Sequence, residues 1–462
     1  MLANRVGAAG RGLRRCDEIL HGSATDSCMR AAQGGPACGW SNCSSDSCHS
    51  CRMKTKIHLL QGIARLAGDG TLGAIAAVEG VHLAVVSSVA ARLPFGRVVE
   101  RGTAFTYARV RDLVGAVRLA TDGSLGLAAR HARTPADASP AGSARIRWLA
   151  ALNGAIGDHL EASANPLAIP MGLWRGRQPL EPESAPLGRA LDACGGTLVL
   201  FVHGLGMSEL GWGAPSGGEF GSRLEQDRIG LALQLRYNSG RRIPANGREL
   251  SQLLQRVHDA HRGTLRRLVL VGHSMGGLVC RSACEHARRH RSSWADALDA
   301  VVCLGSPHFG APLERVGDSA SALLRAIPWT RPLAAVAESR SAGVKDLRHG
   351  WASDLDRGDD ETARTGADAL QLPFADRVDW RLAAASLSAR ADGPRARWLG
   401  DGLVPVPSAL GRDRDARRSL RLPASHRRVF TGLGHLDLLT HADVYAQLHE
   451  WLDRPPRRIG DA

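Results

Sequence analysis

The chain has 462 residues, of which 44% are apolar, and its formal net charge is +14. This length allows two or three domains with a substantial core, and the composition excludes collagen, a pure coiled coil and wholesale disorder. Residues 1–150 carry 19 basic and 10 acidic side chains, so most of the excess positive charge lies there. Because only 4% of residues are aromatic and no nucleic-acid motif accompanies the charge, we expect no nucleic-acid partner.

Residues 1–54 are rich in Cys, Gly and Ser and lack hydrophobic periodicity, which predicts a disordered tail. Six of the ten cysteines lie in this segment, and they include only one C-x2-C pair, whereas structural zinc sites usually combine two such pairs. We therefore expect no metal, and no cofactor motif occurs elsewhere. Residues 1–30 contain no continuous apolar segment, so we expect no cleavable signal peptide and a cytoplasmic location, with membrane association left open.

Residues 55–165 form the next predicted region, which is helical. Apolar residues recur at helical spacing over 55–92, 103–132 and 145–162, and a Pro/Ala/Ser linker covers 133–144. No stretch of 18 or more residues is free of polar interruption, which argues against a spanning helix. For these basic helices we expect either peripheral membrane contact or a covering role over the active site.

Residues 166–455 alternate between apolar runs and helical patterns, which predicts a doubly wound, mostly parallel α/β sheet. The predicted strands cover 169–176, 197–204, 229–238, 266–274, 299–308, 380–389 and 426–435, and helices are predicted at 247–262, 276–290 and 442–454. The Ala-, Arg- and Asp-rich segment 311–375 interrupts this rhythm. It is predicted to be a helical lid over the carboxyl ends of the strands, where ligands bind in such sheets. Residues 456–462 form a short tail.

The motif G-x-S-x-G occurs at Gly272–Gly276, between a predicted strand and a predicted helix. In that context the glycines permit a sharp turn that exposes the hydroxyl of Ser274 as a nucleophile. The backbone N–H of Met275 would point at a developing oxyanion. The alternative interpretation is a glycine-rich turn with an inert serine.

A serine hydroxyl needs a base, and in this architecture the base is a histidine late in the chain. His435 follows the last predicted strand on a loop that can reach over the nucleophile. His426 and His441 are interpreted as surface histidines.

The third group must be a carboxylate that orients the imidazole. Asp401 lies before His435 in an apolar segment that suits a buried carboxylate. Its alternative role is a turn residue in an Asp-Gly pair. Asp437 is the second candidate, better placed to fix the loop that carries His435.

The sequence His203-Gly204-Leu205-Gly206 follows the strand at 197–204 and supplies a second candidate oxyanion donor, the N–H of Leu205. Gly204 allows a close approach, and His203 is interpreted as structural.

The segments HGLG, GHSMGGLV, GSPHFGAPL, DGLVP and GHLDLL occur in this order. Together they resemble the lipase-like branch of the α/β-hydrolase superfamily, in particular bacterial hydrolases similar to the GPI inositol-deacylase-like domain. The resemblance covers residues 195–455. It implies an ester hydrolase with the triad Ser274, Asp401 and His435 and with Leu205 and Met275 as oxyanion donors. It also implies a structural or pocket-lining role for the segments that begin at Tyr237 and Asn246.

The sequence therefore predicts a cofactor-free serine hydrolase that acts on carboxylic or lipid esters. Two alternatives stay open. The same triad could transfer the acyl group to an alcohol, or the fold could be catalytically inactive and serve as a binding module.

Overall fold

A computed structural model describes residues 59–73, parts of 75–83, and then 96–130, 140–213, 219–310, 341–352, 372–390, 393–413 and 419–454. The two predicted tails, 1–54 and 456–462, and most of the predicted lid at 311–375 lie outside these residues. The lid and the tails therefore stay predictions.

The chain divides into two compact units. One contains the helical residues 59–73 (α1), α2 (Gly96–Arg130) and residues 160–168. Ion pairs join its helices, including Arg65 with Asp122, whose closest atoms are 2.5 Å apart.

Large apolar side chains are exposed on α2 in spite of these ion pairs, among them Phe105, Leu113, Val117 and Leu119. None of the described helices has both the length and the apolar character needed to cross a bilayer. Peripheral membrane contact by this unit stays a prediction that sedimentation with lipid vesicles would test.

The other unit is built on an eight-stranded sheet in the order β2-β1-β4-β3-β5-β6-β7-β8. The six strands β4-β3-β5-β6-β7-β8 are all parallel to one another, whereas β1 pairs antiparallel with both β2 and β4. The strands are β1 (Gly172–Arg175), β2 (Gln178–Leu180), β3 (Thr197–Val202), β4 (Leu231–Arg236), β5 (Arg267–His273), β6 (Leu298–Leu304), β7 (Asp379–Ser386) and β8 (Arg427–Thr431).

Helices accompany this sheet in the sequence. They are α3 (Pro140–Ala162), α4 (Ala185–Ala193), α5 (Phe220–Gln226), α6 (Ile243–Ala260), α7 (Met275–His290), α8 (Ala342–His349), α9 (Pro394–Trp398), α10 (Val406–Ala409) and α11 (Ala442–Leu452). The predicted doubly wound, mostly parallel α/β sheet is confirmed. The short strand β2 and the helices α4, α5, α9 and α10 were not predicted.

Both faces of the central strands are buried, which explains their continuous apolar sequences. Alternate residues of β3 point to opposite faces, so Leu198 and Leu200 join one hydrophobic cluster and Val199 and Phe201 join the other. The first cluster includes the apolar sides of α6 and α7, and the second includes those of α5 and α11. The carboxyl ends of the parallel strands consequently share one edge of the sheet.

Residues 140–159 of α3 belong to the sheet unit rather than to the helical unit. A Cβ on Gly240, in the loop after β4, would lie 2.0 Å from the carbonyl oxygen of Asn153. The side-chain amide of Asn238 donates to the carbonyl of Gly157 over 2.8 Å. The backbones of α3 and of the loop after β4 therefore approach so closely that no side chain fits between them.

We expect Gly240→Ala to lower the free energy of unfolding by about 1–3 kcal/mol, because the added methyl group forces the two backbones apart. Urea denaturation measures this change. Gly263→Ala is the matched control, since a Cβ there meets no atom within 4 Å. Equal stabilities of the two variants would contradict the close contact.

Candidate active site

Ser274 lies at the junction of β5 and α7 with φ 54° and ψ −125°. A positive φ is uncommon for a residue with a side chain and stores strain. The neighbouring glycines explain how this turn is built. A Cβ on Gly272 would lie 2.4 Å from the nitrogen of Gly277, and a Cβ on Gly276 would lie 2.1 Å from the carbonyl oxygen of Val202. The motif is therefore a tight strand–turn–helix that only glycine permits at both flanking positions.

The His435 side chain is held by Asp401. Its Nδ1 lies 2.7 Å from Oδ2 of Asp401, and both side chains are buried. The His435 backbone N–H also donates to the Asp401 carbonyl over 3.1 Å. Because a carboxylate only accepts hydrogen bonds, Nδ1 carries the proton and Nε2 presents its lone pair.

The other carboxylate oxygen of Asp401 is also occupied. Its Oδ1 accepts hydrogen bonds from the backbone N–H groups of Leu403, over 3.0 Å, and Val404, over 2.8 Å. These bonds satisfy a buried charge and fix the rotation of the carboxylate.

The structure brings Ser274 and His435 to the same end of β6. The Ser274 N–H donates to the carbonyl of Leu304 over 2.8 Å. At the next residue, Gly305, a Cβ would lie 3.2 Å from Cε1 of His435. Nε2 of His435 is buried and has no hydrogen-bond partner among the described residues, so it is not bonded to the Ser274 hydroxyl in this structure. Such bonds often form only when substrate is present.

His273 supports the loop that carries His435, a role that the sequence did not predict. Its Nε2 lies 3.0 Å from the carbonyl oxygen of His435, and the two ring centroids are 4.6 Å apart. It therefore braces the loop that carries His435. The sequence placed it inside the G-x-S-x-G motif but gave no signal for its partner.

The loop at 203–206 lies against the nucleophile. A Cβ on Gly204 would be 3.1 Å from Cβ of Ser274. Leu205 follows directly and is buried. Met275 also adjoins Ser274, as the first residue of α7. Each candidate oxyanion donor is therefore next in sequence to a residue at the turn, Leu205 after Gly204 and Met275 after Ser274, and their role stays a prediction.

The segment that begins at Tyr237 supports this loop. The Tyr237 hydroxyl donates to the carbonyl of His203 over 2.7 Å, and the two rings stack with centroids 4.4 Å apart. The Gly206 N–H donates to the hydroxyl of Ser239 over 2.9 Å. The Asn246 amide in turn donates to the carbonyl of Asn238 over 2.9 Å. The structural role that the resemblance implied for these residues agrees with these contacts.

The remaining candidates have other contacts. Oδ2 of Asp437 accepts the N–H of Gly434 over 2.8 Å and so closes the turn that precedes His435. His441 accepts the Asp443 N–H at the start of α11, and His426 lies 3.0 Å from the carbonyl of Trp380. Within the described part of the chain, no three His, Cys, Asp or Glu side chains are grouped to hold a metal ion.

Three buried histidines near these strand ends are held neutral. Burial lowers the pKa of His203 to about 4 and that of His308 to about 3, and it also lowers the pKa of His273 well below its usual value. Neither ring nitrogen of His308 has a hydrogen-bond partner among the described residues, so nothing offsets the cost of charging it.

The arrangement is that of a doubly wound α/β protein whose candidate site lies at the carboxyl edge of the sheet. The model of the alpha/beta hydrolase family matches residues 199–448. This match covers more than half of the chain, and the chain belongs to that family. The predicted family is thereby confirmed, while the GPI inositol-deacylase-like subtype stays a prediction.

Solved structures to which the chain shows a low similarity include a lipase-esterase related protein from Clostridium acetobutylicum, with 14% identity and a TM-score of 0.32 over 55% of this chain and 93% of that one. Lipase B from Aspergillus fumigatus has 13% identity and a TM-score of 0.35 over 59% and 58%. A phospholipase from Legionella pneumophila has 16% identity and a TM-score of 0.31 over 46% and 45%. These similarities are too low to indicate a shared substrate. No curated protein matches the chain.

The neutral histidines make stability depend on pH. As pH falls below about 6.5, an unfolded histidine binds a proton, whereas folded His308 stays neutral down to about pH 3. Stability is therefore lost as pH falls through this window. We expect His308→Gln to reduce the loss of unfolding free energy between pH 7 and pH 5 by about 2 kcal/mol. Urea denaturation at both pH values measures it, and an unchanged difference would contradict the prediction.

Proposed function

We propose that this protein is a serine ester hydrolase that cleaves carboxylic or lipid esters through an acyl-enzyme intermediate. The observation that carries the proposal is the imidazole of His435. Its Nδ1 is bonded to a buried carboxylate, and its Nε2 has no partner among the described residues, beside a serine in a strained turn.

In the first step Ser274 attacks the acyl carbon of the ester while its proton moves to Nε2 of His435. The Asp401 carboxylate stabilises the imidazolium that forms, because its oxygens are fixed by His435 and by two backbone N–H groups. His435 then gives the proton to the leaving alkoxide, and the alcohol departs.

The negative charge of the tetrahedral intermediate is stabilised by the N–H groups of Leu205 and Met275. The contacts of Gly204 with Ser274 and of Gly206 with Ser239 support this role, since they fix the peptides on both sides of Leu205. In the second step His435 takes a proton from water, and the resulting hydroxide attacks the acyl carbon. The bond between the acyl carbon and the Ser274 oxygen then breaks, His435 returns the proton to that oxygen, and the acid is released.

We expect Ser274→Ala to abolish hydrolysis of p-nitrophenyl esters, with kcat lowered about 10⁴-fold or more, and to abolish labelling by a fluorophosphonate. Ser293→Ala is the control, since Ser293 is half-buried and its hydroxyl bonds to Gln255 and His258 rather than to a triad candidate, and we expect it to keep both activities. Comparison of short and long acyl chains separates an esterase from a lipase. Labelling without hydrolysis, followed by ester formation with added alcohol, would favour acyl transfer. Absence of both in the folded wild type would favour a binding module.

A second test concerns the acid. We expect Asp401→Asn to lower kcat by about 10³–10⁴-fold. The amide oxygen would stay on the N–H groups of Leu403 and Val404, so the amide NH2 would face Nδ1 of His435 and favour the wrong tautomer of the imidazole. Asp437→Asn is the matched control, since its side-chain bond among the described residues closes the turn before His435, and its kcat should stay within about tenfold of wild type. A larger loss for Asp437→Asn than for Asp401→Asn would reverse the assignment.

A further inference from the structure

A cavity of about 270 Å³ lies between the start of α6 and the second half of α7. The two helices touch beside it, because a Cβ on Gly247 would lie 2.2 Å from the hydroxyl oxygen of Ser282. We call this cavity the α6/α7 groove. Ser282 lies about 10 Å along α7 from its first residue, Met275, so the groove is separate from the candidate active site.

The side chains of the α6/α7 groove are mainly nitrogen donors. Arg248 comes from α6, and His286, Arg289 and His290 come from α7. The one carboxylate of the lining, Glu285, has both oxygens bound by Arg288, which is not part of the lining, with two contacts of 2.9 Å. The groove therefore keeps an excess of positive charge.

Arg289 is oriented for a ligand by its ion pair. Its Nε donates to Glu285 over 2.6 Å, and this is the bond that fixes the guanidinium among the described residues. The terminal nitrogens can then donate to an oxyanion in the groove. Guanidinium groups bind such oxygens through paired hydrogen bonds.

The two histidines form a pair. Their ring centroids are 4.0 Å apart and their planes differ by 14°. Nδ1 of His290 lies 2.9 Å from the carbonyl oxygen of His286, so this nitrogen carries the proton. Nδ1 of His286 is buried and has no partner among the described residues. The His286 ring is therefore stacked on that of His290, and its buried Nδ1 lacks a hydrogen bond to any described residue.

We propose that the α6/α7 groove binds a phosphate group, with Arg248 and Arg289 as the main ligands and the His286–His290 pair as additional donors. A phosphate offers several strong acceptor oxygens and up to two negative charges, which match the guanidinium groups and the imidazoles better than a neutral ligand does. The group comes either from inorganic phosphate or from a phosphate monoester such as a lipid headgroup.

Binding to this site depends on the protonation of the histidines. Burial and the nearby charges of His290, Arg248 and Arg289 lower the pKa of His286, while Glu285 is the acidic group on the same helix. A bound anion reverses the effect of the cations, so an anion of constant charge binds more tightly at low pH.

Isothermal titration of the full-length protein tests the site, with inorganic phosphate and sn-glycerol 3-phosphate as probes. We expect one phosphate group to bind per chain. We expect Arg248→Gln and Arg289→Gln each to raise Kd by about tenfold or more. Arg262→Gln is the charge-matched control, since this side chain is exposed and its partner among the described residues is Asp259, and it should stay within twofold of wild type. Thermal unfolding of each variant confirms that it is folded.

Both probes binding with the same arginine dependence would identify the phosphate group alone as the ligand, and binding of glycerol 3-phosphate only would identify a monoester. Sulfate, which stays dianionic, should bind more tightly at pH 5.5 than at pH 7.5, and the double variant His286→Asn/His290→Asn should lose this difference. No saturable binding of either phosphate probe, or equal weakening in Arg262→Gln, would overturn the proposal.

Discussion

The candidate site depends on the left-handed backbone of one residue, Ser274. Its φ of 54° turns the chain from β5 into α7 within a single residue. Such a sharp turn leaves no room for side chains at the two flanking motif positions. Gly272 and Gly276 occupy these positions, against Gly277 and Val202. The hydroxyl is presented at the strand end because the buried sheet and α7 fix the two arms of the turn, so strain in the backbone is balanced by packing elsewhere.

Hydrogen bonds from buried side chains fix the two loops that lie beside Ser274. The loop at 203–206 has its carbonyl and N–H groups bound by Tyr237 and Ser239, and the loop of His435 is braced by His273 and Asp401. Each of these groups is buried, so an unpaired partner would be costly. The site is therefore positioned by polar contacts between strand-end loops, while apolar packing sets the strands themselves.

The sequence was sufficient to predict the parallel sheet because its central strands are buried on both faces and read as unbroken apolar runs. It did not predict β2, which has three residues at the edge of the sheet, or the short helices α4 and α5, since so few residues carry no clear period. Ser274 and His435 could be chosen from motif and order along the chain, and Asp401 from its order and its apolar segment. The bonds of Asp401 to Leu403 and Val404 could not, because they depend on how a loop folds back on itself.

The packing of α3 has a consequence for how this protein can be cut. Residues 153–157 lie on the backbone of the loop after β4, and Gly157 accepts the amide of Asn238. The hydroxyl of Ser341 also donates to the carbonyl of Gly154 over 2.8 Å. A protease that removed everything before residue 166 would strip the partners from these groups, and the loop bearing Ser239 would lose the surface on which it rests. Residues 140–159 of this helix are therefore an integral part of the sheet unit and are unsuited to serve as a removable pro-segment.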